Sequence, residues 1–236
     1  MASSIPVERR LIFALDVPEP RDALIWVKQL KGAVHHYKVG LELFLAGGWD
    51  IVHAVAMESG PVFLDVKLLD IPATTGRALR LIAAHVPDVW LATTHLFNGM
   101  ALAADLRAEL KGLSVVTVPL LTSMSPADLT EAGIAAPASD YVLDQARRAQ
   151  AKGYDGVVAS GQEAARLRAA LGADFLIVCP GIRPAGAAPQ DQSRVVTPSQ
   201  AIRAGANYLV VGRPIRDAQN PVAAARAIQD EIAAAV

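Results

Sequence analysis

The sequence predicts an α/β chain folded as a single (β/α)8 barrel of the TIM type. Three observations carry that expectation. Eight short β-rich runs alternate with helical patterns, as the βαβ units of a parallel sheet do. The 236 residues are 53% hydrophobic and show no Ser/Gly-rich linker or composition break, and barrels of this size run as one domain. Polar residues recur at the C-terminal end of one strand after another, the end where barrel active sites lie. An open doubly wound sheet is the alternative, although no glycine-rich first turn supports it.

The expected strands are 11–17, 36–40, 62–67, 89–95, 114–120, 156–160, 175–180 and 208–212. Their Val, Ile, Leu and Phe content suits strands buried on both faces. The helical stretches between them are 21–30, 41–58, 75–85, 99–111, 140–152, 163–171, 199–204 and 221–235. Gly32, Gly60, Gly112, Gly153 and Gly172 each follow a helical run, as glycines that end helices do. The longest irregular piece is 183–197, RPAGAAPQDQSRVVT. Loops of this length in compact domains are commonly functional. It follows the seventh strand on the active-site face, so it is read as a lid.

The chain is organised around Pro61 to Thr75, PVFLDVKLLDIPATT. Asp65 and Lys67 lie two apart on the third strand and share a face. Asp70 lies beyond, in the turn that becomes a helix at Pro72. Charge in so apolar a run is costly unless it is paired or used. An isolated Asp-x-Lys is commonly a structural ion pair, and that is the competing reading here.

Other polar residues are expected at the same rim. Asp16 ends strand one, Lys38 lies in strand two, and His95 ends strand four. Thr122 and Ser123 follow strand five. Gly181 and Arg183 follow strand seven, and Gly212 and Arg213 follow strand eight. The ends of strands seven and eight form the usual phosphate site of such barrels. The glycines let backbone N–H groups approach an anion, and the arginines add fork-shaped bonds to its oxygens. Arginines paired to surface acids are the alternative.

Composition excludes several classes. The net charge of -1 gives no basic field for nucleic acid. No uncharged apolar run reaches the ~18 residues of a membrane span, and MASSIPVERR has no apolar leader segment. The single Cys179 rules out an internal disulfide, suits a reducing cytoplasm and reads as core. The five histidines lack metal-ligand spacing. No Walker A string or G-x-G-x-x-G follows a strand, so neither a metal nor a nicotinamide is indicated.

The string D-V-K-L-L-D-I-P-A-T resembles the D-x-K-x-x-D-I-P-x-T signature of the orotidine 5'-monophosphate decarboxylases. ALDV, YKVG, LLTSM, PGIRPAG…DQ…TP and LVVGRPI extend the likeness along the barrel, in the manner of the bacterial branch. The resemblance implies cofactor-independent decarboxylation of orotidine 5'-monophosphate to uridine 5'-monophosphate, in pyrimidine biosynthesis, by a cytoplasmic homodimer with shared sites. It makes Lys67 the lysine that delivers a proton to C6. Lys38, Asp65 and Asp70 complete an alternating array, with Asp70 and Thr74 reaching into the neighbouring subunit's site. Asp16 and Lys38 bind ribose hydroxyls, and Thr122 contacts the pyrimidine. Arg183, Gly212 and Arg213 hold the 5'-phosphate, and Gln192 in the lid bridges phosphate and base. TTHLFNGM departs from the family's small residues after that histidine, so no role passes to His95.

These residue types suit the implied chemistry. Losing CO2 from C6 leaves a carbanion that the ring π-system cannot delocalise. A fixed ammonium beside it stabilises the charge and then acts as acid. Flanking carboxylates favour the charged form of Lys67. Two rivals share part of the pattern. Barrel relatives acting on keto-gulonate or hexulose phosphates share D-x-K-x-x-D but use Mg2+, and the I-P-x-T continuation and LLTSM argue against them. A non-catalytic sugar-phosphate-binding barrel would keep the arginines and lose the charged array.

Overall fold

A computed structural model of the chain describes residues 5–85, 87–97, 99–184 and 196–236. Eight parallel strands run in chain order around a closed barrel. They are β1 (Leu11–Ala14), β2 (His36–Gly40), β3 (Val62–Leu68), β4 (Val89–Thr94), β5 (Ser114–Thr117), β6 (Gly156–Val158), β7 (Leu176–Cys179) and β8 (Tyr208–Val211). Closure is made by β1 against β8, with Leu11, Ile12 and Phe13 opposite Leu209, Val210 and Val211. The open doubly wound sheet is thereby set aside.

The helices are α1 (Pro20–Gln29), α2 (Leu41–Ser59), α3 (Pro72–Ala83), α4 (Ala104–Glu109), α5 (Pro126–Glu131), α6 (Ala138–Ala151), α7 (Ala164–Leu171), α8 (Pro198–Arg203), α9 (Arg213–Arg216) and α10 (Pro221–Ala233). The five glycines expected at helix ends all take positive φ, the left-handed geometry that glycine adopts without penalty. Within α2, Gly48 (φ 56°, ψ -145°) breaks the helical path and kinks it.

Two expectations are corrected. The run 99–111 is helical over Ala104–Glu109 alone. Gly99 takes φ +71°, and the Leu102 amide donates to the Lys152 carbonyl at 2.8 Å, so this stretch serves neighbouring elements. The strands expected to reach 17, 120 and 180 stop at Ala14, Thr117 and Cys179. Beyond those points the chain forms the rim of the barrel mouth.

Side-chain alternation sorts the core into two layers. Ile12, Ala14, Phe63, Leu91, Val116, Val178 and Val210 fill the barrel interior. Leu11, Phe13, Val62 and Leu64 point outward onto the helices. Toward the strands' N-terminal ends, His36, Trp90 and Tyr208 cluster, with ring centroids 5.1 Å (His36–Trp90) and 4.9 Å (Trp90–Tyr208) apart. This apolar floor leaves the opposite end for polar groups. Cys179 is fully buried, and burial pushes its thiol up to about 12, as a core position requires.

Candidate active site

Register decides which charges enter the barrel. Lys38 stands opposite Phe63, and Gly40 opposite Asp65. Phe63 fills the interior, so period-2 alternation turns Lys38 and Asp65 inward with it. Both are 9% exposed. A bare carboxylate so placed costs several kcal/mol, and the cost is offset only by close partners. Asp65 has three. Lys67 Nζ lies 2.8 Å from Oδ1, the Thr93 hydroxyl donates to Oδ1 at 3.0 Å, and Lys38 Nζ lies 3.5 Å from Oδ2. Lys38 Nζ also donates to Asp16 Oδ1 at 3.0 Å. Asp16, Lys38, Asp65 and Lys67 therefore form one continuous chain of alternating charge.

Burial alone would raise the Asp65 pKa. The Lys38 and Lys67 ammoniums and the bonds from Lys67 and Thr93 outweigh it and hold the carboxyl below its usual range. Burial alone would lower the Lys38 pKa, but Asp65 and Asp16 reverse that and hold it above the ordinary lysine value. Both groups are charged at neutral pH.

Lys67 reaches this array through an irregular backbone. Between β3 and β4 the register passes from Leu64–Ala92 to Leu68–Thr94, so four residues of β3 span two of β4. Such bulges re-aim side chains beside functional sites. Lys67 takes φ +48°, and among the described residues no other non-glycine has positive φ. That conformation costs on the order of 1–3 kcal/mol and persists only where its surroundings enforce it. The Lys67 amide donates to the Thr93 hydroxyl at 2.9 Å.

These groups line a cavity of about 230 Å³ at the C-terminal mouth. Asp16, Lys38, Asp65, Lys67, Thr122, Arg183, Gly212 and Arg213 all face it, with Gly181. Arg183 follows β7 and Arg213 opens α9 just past β8, while the charged array comes from the ends of β1 to β3. Gly181 takes φ +76°. Asp70 and Thr74 do not line this cavity. Asp70 Oδ1 accepts from the Ile71 amide at 2.6 Å, and Thr74 accepts from Arg77 at 3.1 Å. Gln192 and the lid interior, 185–195, lie outside the described residues. The loop's two ends are joined: Ile182 bridges Val196, and the Arg183 amide donates to the Val196 carbonyl at 3.1 Å.

His95 bonds through Nδ1 to the Val118 carbonyl at 3.0 Å. Burial lowers its pKa, with Lys67 adding to the effect against the Val118 bond. Sequence reasoning missed Thr93. A threonine in a strand is ordinary, and only the register places it beside Asp65.

The sequence matches the family model described as "Orotidine 5'-phosphate decarboxylase / HUMPS family" over residues 9–228.

The chain belongs to this family.

Among curated relatives, the orotidine 5'-phosphate decarboxylase of Nitrosococcus oceani is 46% identical over 94% of this chain and 97% of its own length. That of Xanthomonas euvesicatoria is 46% identical over 98% of this chain and 95% of its own. Among solved structures, orotidine 5'-phosphate decarboxylase from Lactobacillus acidophilus superposes with a TM-score of 0.79 at 31% identity, covering 95% of this chain and 99% of that one. The chain is accordingly an enzyme of the family, a carboxy-lyase. No helix among the described residues is long and apolar enough to cross a membrane.

Proposed function

We propose that the chain converts orotidine 5'-monophosphate to uridine 5'-monophosphate through a C6 carbanion that Lys67 stabilises and then protonates, in pyrimidine biosynthesis. One observation carries the reading: Lys67 Nζ lies 2.8 Å from a buried carboxylate in the cavity that Arg183 and Arg213 also line. Charge fixed before reaction costs no reorganisation when the carbanion forms.

In this reading the phosphate binds at Arg183, Gly212 and Arg213. Asp16 and Lys38 take ribose hydroxyls, Thr122 contacts the pyrimidine, and Gln192 joins base and phosphate. Asp65 stands beside the departing carboxylate and holds Lys67 in line with C6. As the C6–CO2 bond breaks, its electron pair stays on carbon. A proton from the Lys67 ammonium then forms the C6–H bond, and solvent reprotonates the amine. Protein charge alone supplies the stabilisation, with no cofactor sink. Phosphate binding far from C6 contributes energy to assembling the site, which favours the transition state rather than substrate affinity alone.

Asp70 and Thr74 act in this reading on the site of a second copy of the chain. Leu69 and Ile71, beside Asp70, are 57% and 65% exposed, and Phe97 past β4 is 70% exposed. Exposed apolar side chains on the β3 and β4 rims suit a subunit interface. The buried thiol suits a cytoplasmic enzyme.

The test follows the ultraviolet absorbance of orotidine 5'-monophosphate on adding purified chain, with and without EDTA. Turnover unaffected by EDTA is expected. Lys67→Ala is expected to abolish turnover while still binding uridine 5'-monophosphate. Near-normal turnover in that variant would refute the role given to Lys67. Loss of that turnover with EDTA would overturn the cofactor-independent reading, and no turnover at all would favour the Mg2+-dependent sugar-phosphate chemistry instead.

A further inference from the structure

Thr93 does not itself line the cavity, yet its hydroxyl joins two parts of the array. It is fully buried. Oγ1 accepts from the Lys67 amide at 2.9 Å and donates to Asp65 Oδ1 at 3.0 Å. Lys67 Nζ returns to the same Oδ1 at 2.8 Å. The contacts close a ring: Lys67 backbone, Thr93 hydroxyl, Asp65 carboxylate, Lys67 ammonium. Both ends of one lysine are thereby fixed to the same carboxylate oxygen, one of them through Thr93.

The ring sits where the backbone is least regular. Lys67 is held at φ +48° inside the β3 bulge, a conformation that needs outside support. The inward turn of β4 supplies it, since Leu91 and Thr93 share a strand face and Leu91 fills the barrel interior. Without the hydroxyl, the amide of Lys67 would lose its acceptor and Asp65 a donor. The lysine would then be free to relax toward ordinary strand geometry, carrying its ammonium away from Asp65.

We propose that Thr93 is a positioning residue for the reaction, holding Lys67 in its left-handed turn and Asp65 in line, so that the ammonium is presented to the substrate carbon in one place. The proposal rests on the role given to Lys67 above. It concerns how that amine is placed, not how the phosphate is held.

Three variants test it against Lys67→Ala. Thr93→Val keeps the volume and removes both hydrogen bonds. Thr93→Ser keeps both bonds and removes the methyl group. Thr93→Ala serves should the valine variant fail to fold. The expected result is a fall in kcat of tenfold or more for Thr93→Val and Thr93→Ala. KM, and the Kd for uridine 5'-monophosphate, stay within threefold of the parent chain. Thr93→Ser keeps at least half of the parent kcat. A purely structural threonine would not produce that split between kcat and product binding.

Two outcomes overturn the proposal with Lys67→Ala inactive: kcat within twofold of the parent in Thr93→Val, or equal losses in the serine and valine variants, which would assign the effect to methyl packing. If Lys67→Ala itself turns over normally, the role given to Lys67 fails, and the placement of Thr93 falls with it.

Discussion

The ammonium of Lys38 occupies the space beside Gly40: a Cβ placed on Gly40 would lie 3.0 Å from Lys38 Nζ and 3.5 Å from Asp16 Oδ1. The two residues share the inward face of β2. The smaller one leaves room for the larger to fold back over the strand and reach Asp16 and Asp65.

Gly40→Ala therefore tests the array without touching its charges. Gly40 has φ -86°, so alanine fits the backbone. The added methyl displaces the ammonium by a few tenths of an ångström. Thermal stability should change little, while kcat/KM falls roughly tenfold, because small misplacements at a preorganised site are expensive. Steady-state kinetics alongside a melting curve separates the two effects.

Arg213→Ala should weaken the phosphate site. A charge-assisted hydrogen bond contributes about 1.5–3 kcal/mol, so KM and the Kd for uridine 5'-monophosphate should rise about 10- to 100-fold. Binding of uridine, which carries no phosphate, should be unchanged. Calorimetric titration with both ligands checks this. Equal loss for both would place Arg213 elsewhere in the site.

Inactive Lys67→Ala chains mixed with inactive Asp70→Ala chains should regain activity in hybrids. Each hybrid would hold one site with an intact Lys67 from one copy and an intact Asp70 from the other. No recovery, with hybrids shown to form by native mass spectrometry, would confine Asp70 to a structural role at the start of α3.

His36 sets an acid limit on stability. Its burial, with Arg9 and His35 nearby, lowers its pKa from 6.5 to about 4, against a bond at Pro61. Between those values the unfolded chain binds the proton more readily. Stability from this group is thus complete above about pH 6.5 and lost as pH falls toward 4. The shift corresponds to up to about 3 kcal/mol. His36→Phe keeps a ring against Trp90 and Tyr208 and should flatten that part of the profile, measured by urea unfolding at pH 7 and pH 5. The depressed Asp65 pKa acts lower, adding stability above its unfolded value near 3.9 that is lost as pH falls through the folded one.

Gly156→Ala should cripple folding. A Cβ there would lie 2.2 Å from the Leu176 carbonyl oxygen, a backbone atom of the neighbouring strand that cannot step aside. The expected loss is about 3 kcal/mol or more, seen as a melting point lower by several degrees.

The sequence showed most of the barrel because its strands are buried on both faces, leaving dense apolar runs between helical patterns. It showed the charged array because Asp65, Lys67, Asp16 and Lys38 break those runs. Short helices were harder. α5 and α9 span six and four residues, too few for periodicity, although Ser125 and Asp128 form a capping box that S-P-A-D already spells. Helix 99–111 misled because Leu102, Leu106 and Leu110 keep the i, i+4 spacing of a helix while only Leu106 lies in one. The left-handed Lys67 and its support by Thr93 were not legible. Both depend on a register slip between β3 and β4, whose residues Lys67 and Thr93 are 26 apart in sequence.

The seam between β1 and β8 also bears on how the molecule is made. Strand β1 has its second neighbour in β8, with Leu11 opposite Leu209, so during synthesis the first strand waits with an open edge until nearly all of the polypeptide has emerged. Gly212 and Arg213 follow immediately after the strand that ends this wait. A product cut short before residue 208 would thus expose two unpaired edges and lack the corner proposed for the phosphate as well, making it prone to aggregate and, on that proposal, inert.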